Sequence, residues 1–311
     1  MHAGWHADAD RQRHDDRSRT KPIVRVAHLH LRLDQCTQGS AENLGTTREY
    51  SGDLISFSSV PIGFEASIIE QTAHRPWPLP RQPWIMVQTW LDLLFAHWPV
   101  DSTLLRSKVP SAFDLDLYEG QAYIGVVPFS MTNVTFRGVP ALPLVSTFPE
   151  LNVRTYVRAE GKPGVFFFSL DAASSLAVRM ARLWLNLPYH RAEMRCVARE
   201  AAIEYRSRRL GEPAELVSTY EPKGSEQVPR PGSIEHFLTE RYCLYAVDRS
   251  ARPYRLEIHH PPWKLRSADA RFERNSVAAA AGIMLPDAEP LLHFSKRQDM
   301  VAWGPVRLQA R

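Results

Sequence analysis

The chain has 311 residues, 44% of them hydrophobic, enough to build a core in one large domain or two ordinary ones. Its 38 basic and 34 acidic residues are spread along the chain, which argues against the basic patch that nucleic-acid binding needs, and Cys36, Cys196 and Cys243 are too few and too far apart for a disulfide framework or a zinc knuckle. No run reaches the roughly 18 apolar residues of a membrane span, and the N-terminus lacks the apolar core of a signal peptide, so the expectation is a soluble cytoplasmic protein with neither a membrane nor a nucleic acid as partner.

Residues 1–75 are polar, without sustained periodicity, and are read as a low-order extension that the fold can spare. Five of the 12 histidines lie there (His2, His6, His14, His28 and His30), but no acidic or cysteine ligands accompany them at matched spacing, so no metal site is expected. The compact domain is placed at 76–311, beginning with the Trp- and Pro-rich run from Pro76 to Trp98, which could also serve as a partner surface. Ser102–Val109 reads as a short helix stopped by Pro110, and Tyr118–Phe129 as a hairpin around Glu119-Gly120.

Phe148–Ala172 is the most informative stretch. Leu151, Val153, Thr155 and Val157 alternate with Glu150, Asn152, Arg154 and Tyr156, the period of a strand with one polar face. Val165–Leu170 is almost continuously apolar, the pattern of a strand covered on both faces, and the Gly/Pro turn between the two runs makes them a hairpin. Two readings of the polar face stand side by side: a solvated sheet surface, or an enclosed wall whose charges need partners or a polar cavity. Glu150 and Arg154 are about 13 Å apart along such a strand at about 3.3 Å per residue, too far for a direct ion pair and wide enough for a small ligand.

Asp171 is placed as the N-cap of a helix from Ala172 to Leu187, with Leu176, Met180, Leu183, Trp184 and Leu187 forming an apolar stripe. Further strands are expected at Ala192–Arg206, Phe237–Val247 and Tyr254–His259, with the proline-rich Gly211–Gly232 as an exposed loop. Many strands, few helices and no βαβ alternation predict a mainly β (α+β) fold, an antiparallel sheet or barrel with a few inserted helices.

The blocks LLFAHWPVD, GQAYIGVVPFSM, FPELNVRTYV, GVFFFSLDA, LPYHRAEM, GSIEHFLTERYCLYA, IHHPPW and HFSKRQDMVAW resemble the YqjF-like family of uncharacterised bacterial proteins over Trp84–Trp303. That family is similar in fold to acetoacetate decarboxylase, so the resemblance implies a β-barrel around a deep pocket. In those relatives a lysine forms a Schiff base with a β-keto acid beside a second lysine. If Pro188 corresponds to the motif proline, Tyr189 and His190 stand at the two lysine positions, and tyrosine cannot form an imine. The resemblance also places a glutamate on a pocket-facing strand, where Glu150 stands. Lys264 is the one lysine of the domain in an apolar setting, more in keeping with a snorkelling surface side chain than with a reactive amine.

From these readings Glu150, Arg154, Tyr189 and His190 are the candidate catalytic residues, with Arg154 able to hold a carboxylate through its planar fork. Asn152, His97, His236 and Glu240 are candidate ligand-binding residues, the last two because even-numbered residues of a strand through 236–242 would share a face. Plainer alternatives stand beside them: a mutually satisfied structural network at Glu150, Asn152 and Arg154, a hydrogen-bonded core histidine at His97, and a sheet surface at His236 and Glu240. The expected function is cofactor-free acid/base chemistry on a small organic acid or carbonyl compound, with no metal or cofactor; the alternative is a small-ligand-binding protein without turnover.

Overall fold

The computed structural model describes residues 61, 63–138, 147–175, 178 and 186–309, and strands dominate them as the alternating patterns require. In chain order these are β1 (Met86–Val100), helix α1 (Ser102–Arg106), β2 (Asp114–Leu115), β3 (Ala122–Phe136), β4 (Phe148–Ala159), β5 (Lys162–Ala172), β6 (Tyr189–Arg199), β7 (Ala202–Arg209) and β8 (Glu215–Gln227). They continue with α2 (Ile234–Thr239), β9 (Cys243–Val247), β10 (Pro253–His259), β11 (Leu265–Asn275), α3 (Val277–Ala280), β12 (Leu291–Ala302) and β13 (Val306–Arg307).

The strand pairings close on themselves twice. One circuit runs β5-β6-β7-β8-β11-β12-β1-β3-β4 and returns to β5; the other runs β5-β9-β10-β12-β1-β3-β4 and also returns to β5. Strands β12, β1, β3, β4 and β5 belong to both, so each of their faces looks into a different interior. This is why both faces of β4 are covered from Glu150 to Val157. Leu151 and Val153 pack with Leu94, Ala96, Ile124, Val126, Tyr205 and Leu216 in the first interior. On the other face Phe95, Val127, Phe129 and Ala172 pack with Trp263, and Tyr156 and Val165 pack under Leu238 of α2.

The β4–β5 hairpin forms as its sequence requires. Glu160 (φ 48°) and Gly161 (φ 76°) take the two left-handed positions of a tight turn whose twist matches its strands. Pairing then runs from Ala159–Lys162 to Glu150–Ala172, with one irregularity between Val153 and Arg154. Asp101 caps α1 by accepting from Thr103 N at 2.6 Å.

Other expectations are corrected. The strand expected at Ala192–Arg206 is two strands, because Glu200 (φ 52°) turns the chain and β6 and β7 pair antiparallel from Ala192–Arg209 to Arg199–Ala202. The proline-rich stretch 211–232 contains β8, paired with β7 and β11; its outer half is polar because it is exposed, not because it is irregular. Asp171 is not a helix cap but a strand residue of β5, and the helical turn starts beyond it, with Val178 N bonding Ser174 O at 3.0 Å. Of the proposed apolar stripe, Leu176, Met180, Leu183 and Trp184 lie outside the described residues, while Leu187 is buried. Within Pro76–Trp98 the β1 part is mostly buried, whereas Pro76, Pro78, Arg81, Gln82 and Pro83 are exposed.

Packed chain also begins upstream of Pro76. Ile68, in a short 3-10 helix at Ala66–Glu70, is fully buried against Trp84, Val87, Val301 and Trp303. Arg75 Nη2 pairs with Glu257 at 3.0 Å, and the same carboxylate accepts from Trp77 Nε1 at 2.8 Å and Lys162 Nζ at 2.6 Å. His259 Nε2 lies 2.8 Å from Ile68 O. A chain starting at Trp77 loses the buried isoleucine and one partner of a buried carboxylate. It should be less stable than a chain starting at Gly63 by about 3 kcal/mol or more in denaturant melts; equal midpoints would show that 63–76 contributes nothing.

Candidate functional site

The polar face of β4 is enclosed. Glu150 is 3% exposed and Asn152 5%, and Arg154 is half-buried. The solvated reading of this face is therefore set aside. At one end the Tyr189 hydroxyl donates to Glu150 Oε2 at 2.8 Å, while Tyr205, reaching across from the first interior, donates to the Glu150 backbone oxygen at 2.6 Å. Burial raises the Glu150 carboxyl to about 8; the Tyr189 hydrogen bond opposes this and the charge of Asp171 adds to it. Burial, and then Glu150 itself, holds the Tyr189 hydroxyl well above its ordinary range. At neutral pH the pair is an undissociated acid beside an undissociated phenol.

Tyr189 reaches Glu150 because β6 starts parallel to β5, with Leu170 opposite Tyr189 and Asp171 opposite His190. Successive strand residues point to opposite faces, so His190 turns away from Glu150. Its Nδ1 lies 3.3 Å from Glu212 Oε1; Glu212 Oε2 accepts from Arg209 Nη1 at 2.7 Å, and Arg209 Nε donates to Asp171 Oδ1 at 2.9 Å. The expected grouping of His190 with Glu150 and Tyr189 is corrected: it belongs to a chain of ion pairs on the other face.

At the other end of the same face stand Arg154 and His97. Gly125 of β3 lies between them, opposite His97 on one side and Arg154 on the other. Any side chain there would intrude, since a Cβ would sit 3.0 Å from His97 Nε2 and 3.3 Å from Arg154 Cγ. Arg154 Nη2 donates to Leu238 O of α2 at 3.2 Å, and its guanidinium lies 5.2 Å from the centre of the Phe95 ring and 5.7 Å from that of Tyr156. No carboxylate among the described residues is paired with it. His97 is fully buried, with Nε2 2.6 Å from the Tyr156 hydroxyl, which itself donates to Leu238 O at 2.8 Å. Burial, with Arg154 and His293 adding to it, pushes the His97 imidazole well below its usual range, so it is neutral.

His236 and Glu240 are not on a strand. Ser233 accepts from His236 N at 3.3 Å and starts α2, an N-cap that the strand reading overlooked. Glu240 ends that helix and ties it down, accepting from Trp263 N at 2.8 Å and from the Tyr242 hydroxyl. Neither residue is brought to Glu150 by the shared strand face that motivated it. Lys264 is exposed. Sequence reasoning missed Phe95, Tyr205 and Trp263 as parts of the site; only Tyr156 carried a signal, its place in the alternation of β4. Among the described residues no three His, Cys, Asp or Glu side chains group closely enough to hold a metal ion. An open cleft of about 310 Å³ between Glu200, Pro222, Arg266, Phe294 and Lys296 contains none of these site residues.

The sequence from 87 to 299 matches DUF2071, a family described as an uncharacterised conserved protein. The chain belongs to the DUF2071 family. It is 47% identical over 225 residues to the uncharacterised protein YqjF of Bacillus subtilis (strain 168), covering 72% of this chain and 92% of that one. Among solved structures, this DUF2071 protein is similar to acetoacetate decarboxylase from Legionella pneumophila (TM-score 0.53, 12% identity, 79% of this chain and 97% of that one). It is also similar to an acetoacetate decarboxylase-like enzyme from Sphingomonas wittichii RW1 (TM-score 0.52, 14% identity, 73% and 94%) and to the enduracididine biosynthesis enzyme MppR complexed with pyruvate (TM-score 0.52, 12% identity, 75% and 93%). At these identities the likeness is one of fold: the DUF2071 chain has the acetoacetate decarboxylase-like architecture.

Two predictions follow from the geometry. Because the folded-state pKa of Glu150 is raised, the unfolded chain holds fewer protons between the ordinary carboxyl value of 4.5 and about 8, so stability falls as pH rises through that window. The slope from this one group is at most about 1.4 kcal/mol per pH unit, and Glu150→Gln should flatten it in melts recorded from pH 5 to 8. Gly125→Ala should push His97 and Arg154 apart and cost about 1–3 kcal/mol, measured by denaturant unfolding; a neutral effect would show that the row across β1, β3 and β4 is loosely packed.

Proposed function

We propose that this protein takes up a small organic acid or carbonyl compound in the layer between the β1-β3-β4-β5 face and α2, and moves a proton on it without a cofactor. The observation that carries this reading is Glu150, a buried carboxyl that stays protonated up to about pH 8 and whose side-chain hydrogen bond among the described residues is to a neutral phenol. A neutral acid in an enclosed site can give its proton to a carbonyl oxygen and, as the carboxylate so formed, take one from the adjacent carbon, which leaves the enol and the neutral acid; the reverse steps return the carbonyl compound with an exchanged proton. Tyr189 would hold that carboxyl in place and stay protonated throughout. Arg154 would receive a carboxylate. His190, facing away, has no part in the step.

A Schiff base is not part of the proposal, because tyrosine stands where the resemblance would put the reactive lysine. Borohydride with a β-keto acid should leave the chain unmodified; a trapped adduct at Lys264 would overturn the acid/base reading. The alternative, binding without turnover, is supported by the same Tyr189–Glu150 bond, which already occupies the carboxyl. A cytoplasmic location belongs to the proposal too, supported by the unpaired Cys196 and Cys243; no helix among the described residues is long and apolar enough to cross a membrane.

The test is exchange of the protons next to the carbonyl of 2- and 3-oxo acids in deuterated water, followed by NMR. Turnover should appear in the wild type, fall about a hundredfold in Glu150→Gln, and decline as pH rises through 8 where donation from Glu150 limits the rate. Saturable binding with no exchange at any pH would favour the binding protein. Exchange that survives unchanged in Glu150→Gln would remove Glu150 from the mechanism.

A further inference from the structure

The atoms around the Phe95 ring are incompletely bonded. Asn152 Oδ1, His97 Nδ1, Arg154 Nε and Trp263 Nε1 are all buried and have no hydrogen-bond partner. Phe95 ties three of these side chains to one place: its ring lies 5.2 Å below the Arg154 guanidinium, 4.9 Å from the Trp263 ring edge-on, and 6.2 Å from His97 in a stacked arrangement. Asn152 precedes Arg154 by two residues on the same face of β4. Asn152, His97 and Trp263 are 5%, 0% and 2% exposed, and buried polar groups left unpaired are rare and costly, so a group supplied from outside the chain is the natural complement.

The four atoms sort by what they lack. Arg154 Nε–H and Trp263 Nε1–H are donors without acceptors, and Arg154 is in addition a cation without a paired carboxylate among the described residues. Asn152 Oδ1 is an acceptor without a donor. His97 is one as well, by its hydrogen bonding. The single Tyr156 hydroxyl proton goes to Leu238 O, so the 2.6 Å contact with His97 must use the Nε2–H of the imidazole, and in the neutral ring that leaves a bare lone pair on Nδ1. The missing group is therefore an anion with two acceptor oxygens next to a hydrogen-bond donor. A hydroxyl fits the donor position better than an ammonium, which would face the uncompensated Arg154 charge with no ionised carboxylate beside it.

We infer that the site is built for a small hydroxy acid, its carboxylate on Arg154 and Trp263, its hydroxyl on Asn152 and His97, and its apolar part across Phe95. This rests on the site proposed above and names its ligand class; it does not depend on Glu150 performing chemistry.

The experiment is a titration of the full chain, by calorimetry and saturation-transfer NMR, with three pairs of probes: lactate and propionate, 3-hydroxybutyrate and butyrate, mandelate and phenylacetate. In at least one pair the hydroxy acid should bind about tenfold more tightly than its deoxy partner, the effect of one unmade hydrogen bond to a buried acceptor, and the methyl ester of that hydroxy acid should not bind measurably. Arg154→Met should abolish the preference for acid over ester, and Asn152→Leu the preference for hydroxyl over hydrogen. If the wild type shows both preferences while proton exchange is absent from it, the binding inference stands and the acid/base proposal falls. Equal binding within every pair, or binding of none of the six at millimolar concentration, overturns the inference even if a variant fails to fold, because the wild-type comparison decides it.

Discussion

The structure turns on β4 being shared by two closed strand circuits. A strand with one wet face could carry Glu150, Asn152 and Arg154 at no cost, but here the second circuit through β9 and β10, with α2 over it, takes that face out of water. Every polar group on β4 must then be neutralised, bonded or left for a ligand. Glu150 is neutralised, Tyr156 is bonded at both ends of its hydroxyl, and Arg154 keeps a charge that, among the described residues, faces a backbone carbonyl, the Tyr156 hydroxyl and two aromatic rings rather than a carboxylate. This differs from a structural network in which Glu150 and Arg154 would cancel each other.

Three buried carboxylates among the described residues, Glu257, Asp171 and Glu150, are held in different ways. Glu257 is surrounded by Arg75, Lys162, Arg255 and the Trp77 indole, and these partners hold its carboxyl below the usual range in spite of burial. Asp171 has one buried cation, Arg209, which is outweighed by desolvation so that its carboxyl is raised. Glu150 has no cation beside it among the described residues, and burial dominates. Of the three, Glu150 is the one whose carboxyl rises to about 8.

Much of this was legible from the residues. The alternation from Glu150 to Val157, the apolar run of β5 and the turn at Gly161 predicted the hairpin, and Tyr189 near Glu150 followed from a family resemblance. Strand periodicity also contained the correction to His190, since neighbours on a strand cannot share a face. Other errors had local causes: Ser233 is an N-cap that turns 234–239 into a helix, and the polarity of 215–227 reflects an exposed half-strand, so His236, Glu240 and the expected loop were misplaced. Polar composition likewise hid the packing of Ile68 and Arg75, because one apolar and one basic side chain suffice to anchor a short segment without any periodicity.

What the sequence determined by itself is the set of faces: which residues of β4 travel together, that β5 is covered on both sides, and that no lysine accompanies Tyr189 in its motif. Only the tertiary structure decided which faces are dry. Side-chain period is a property of the local backbone, whereas burial of the Glu150 face depends on β9, β10, α2 and Trp263, which come from residues 234–263, far along the chain. The proton on Glu150 and the unmatched charge on Arg154 are consequences of that distant closure.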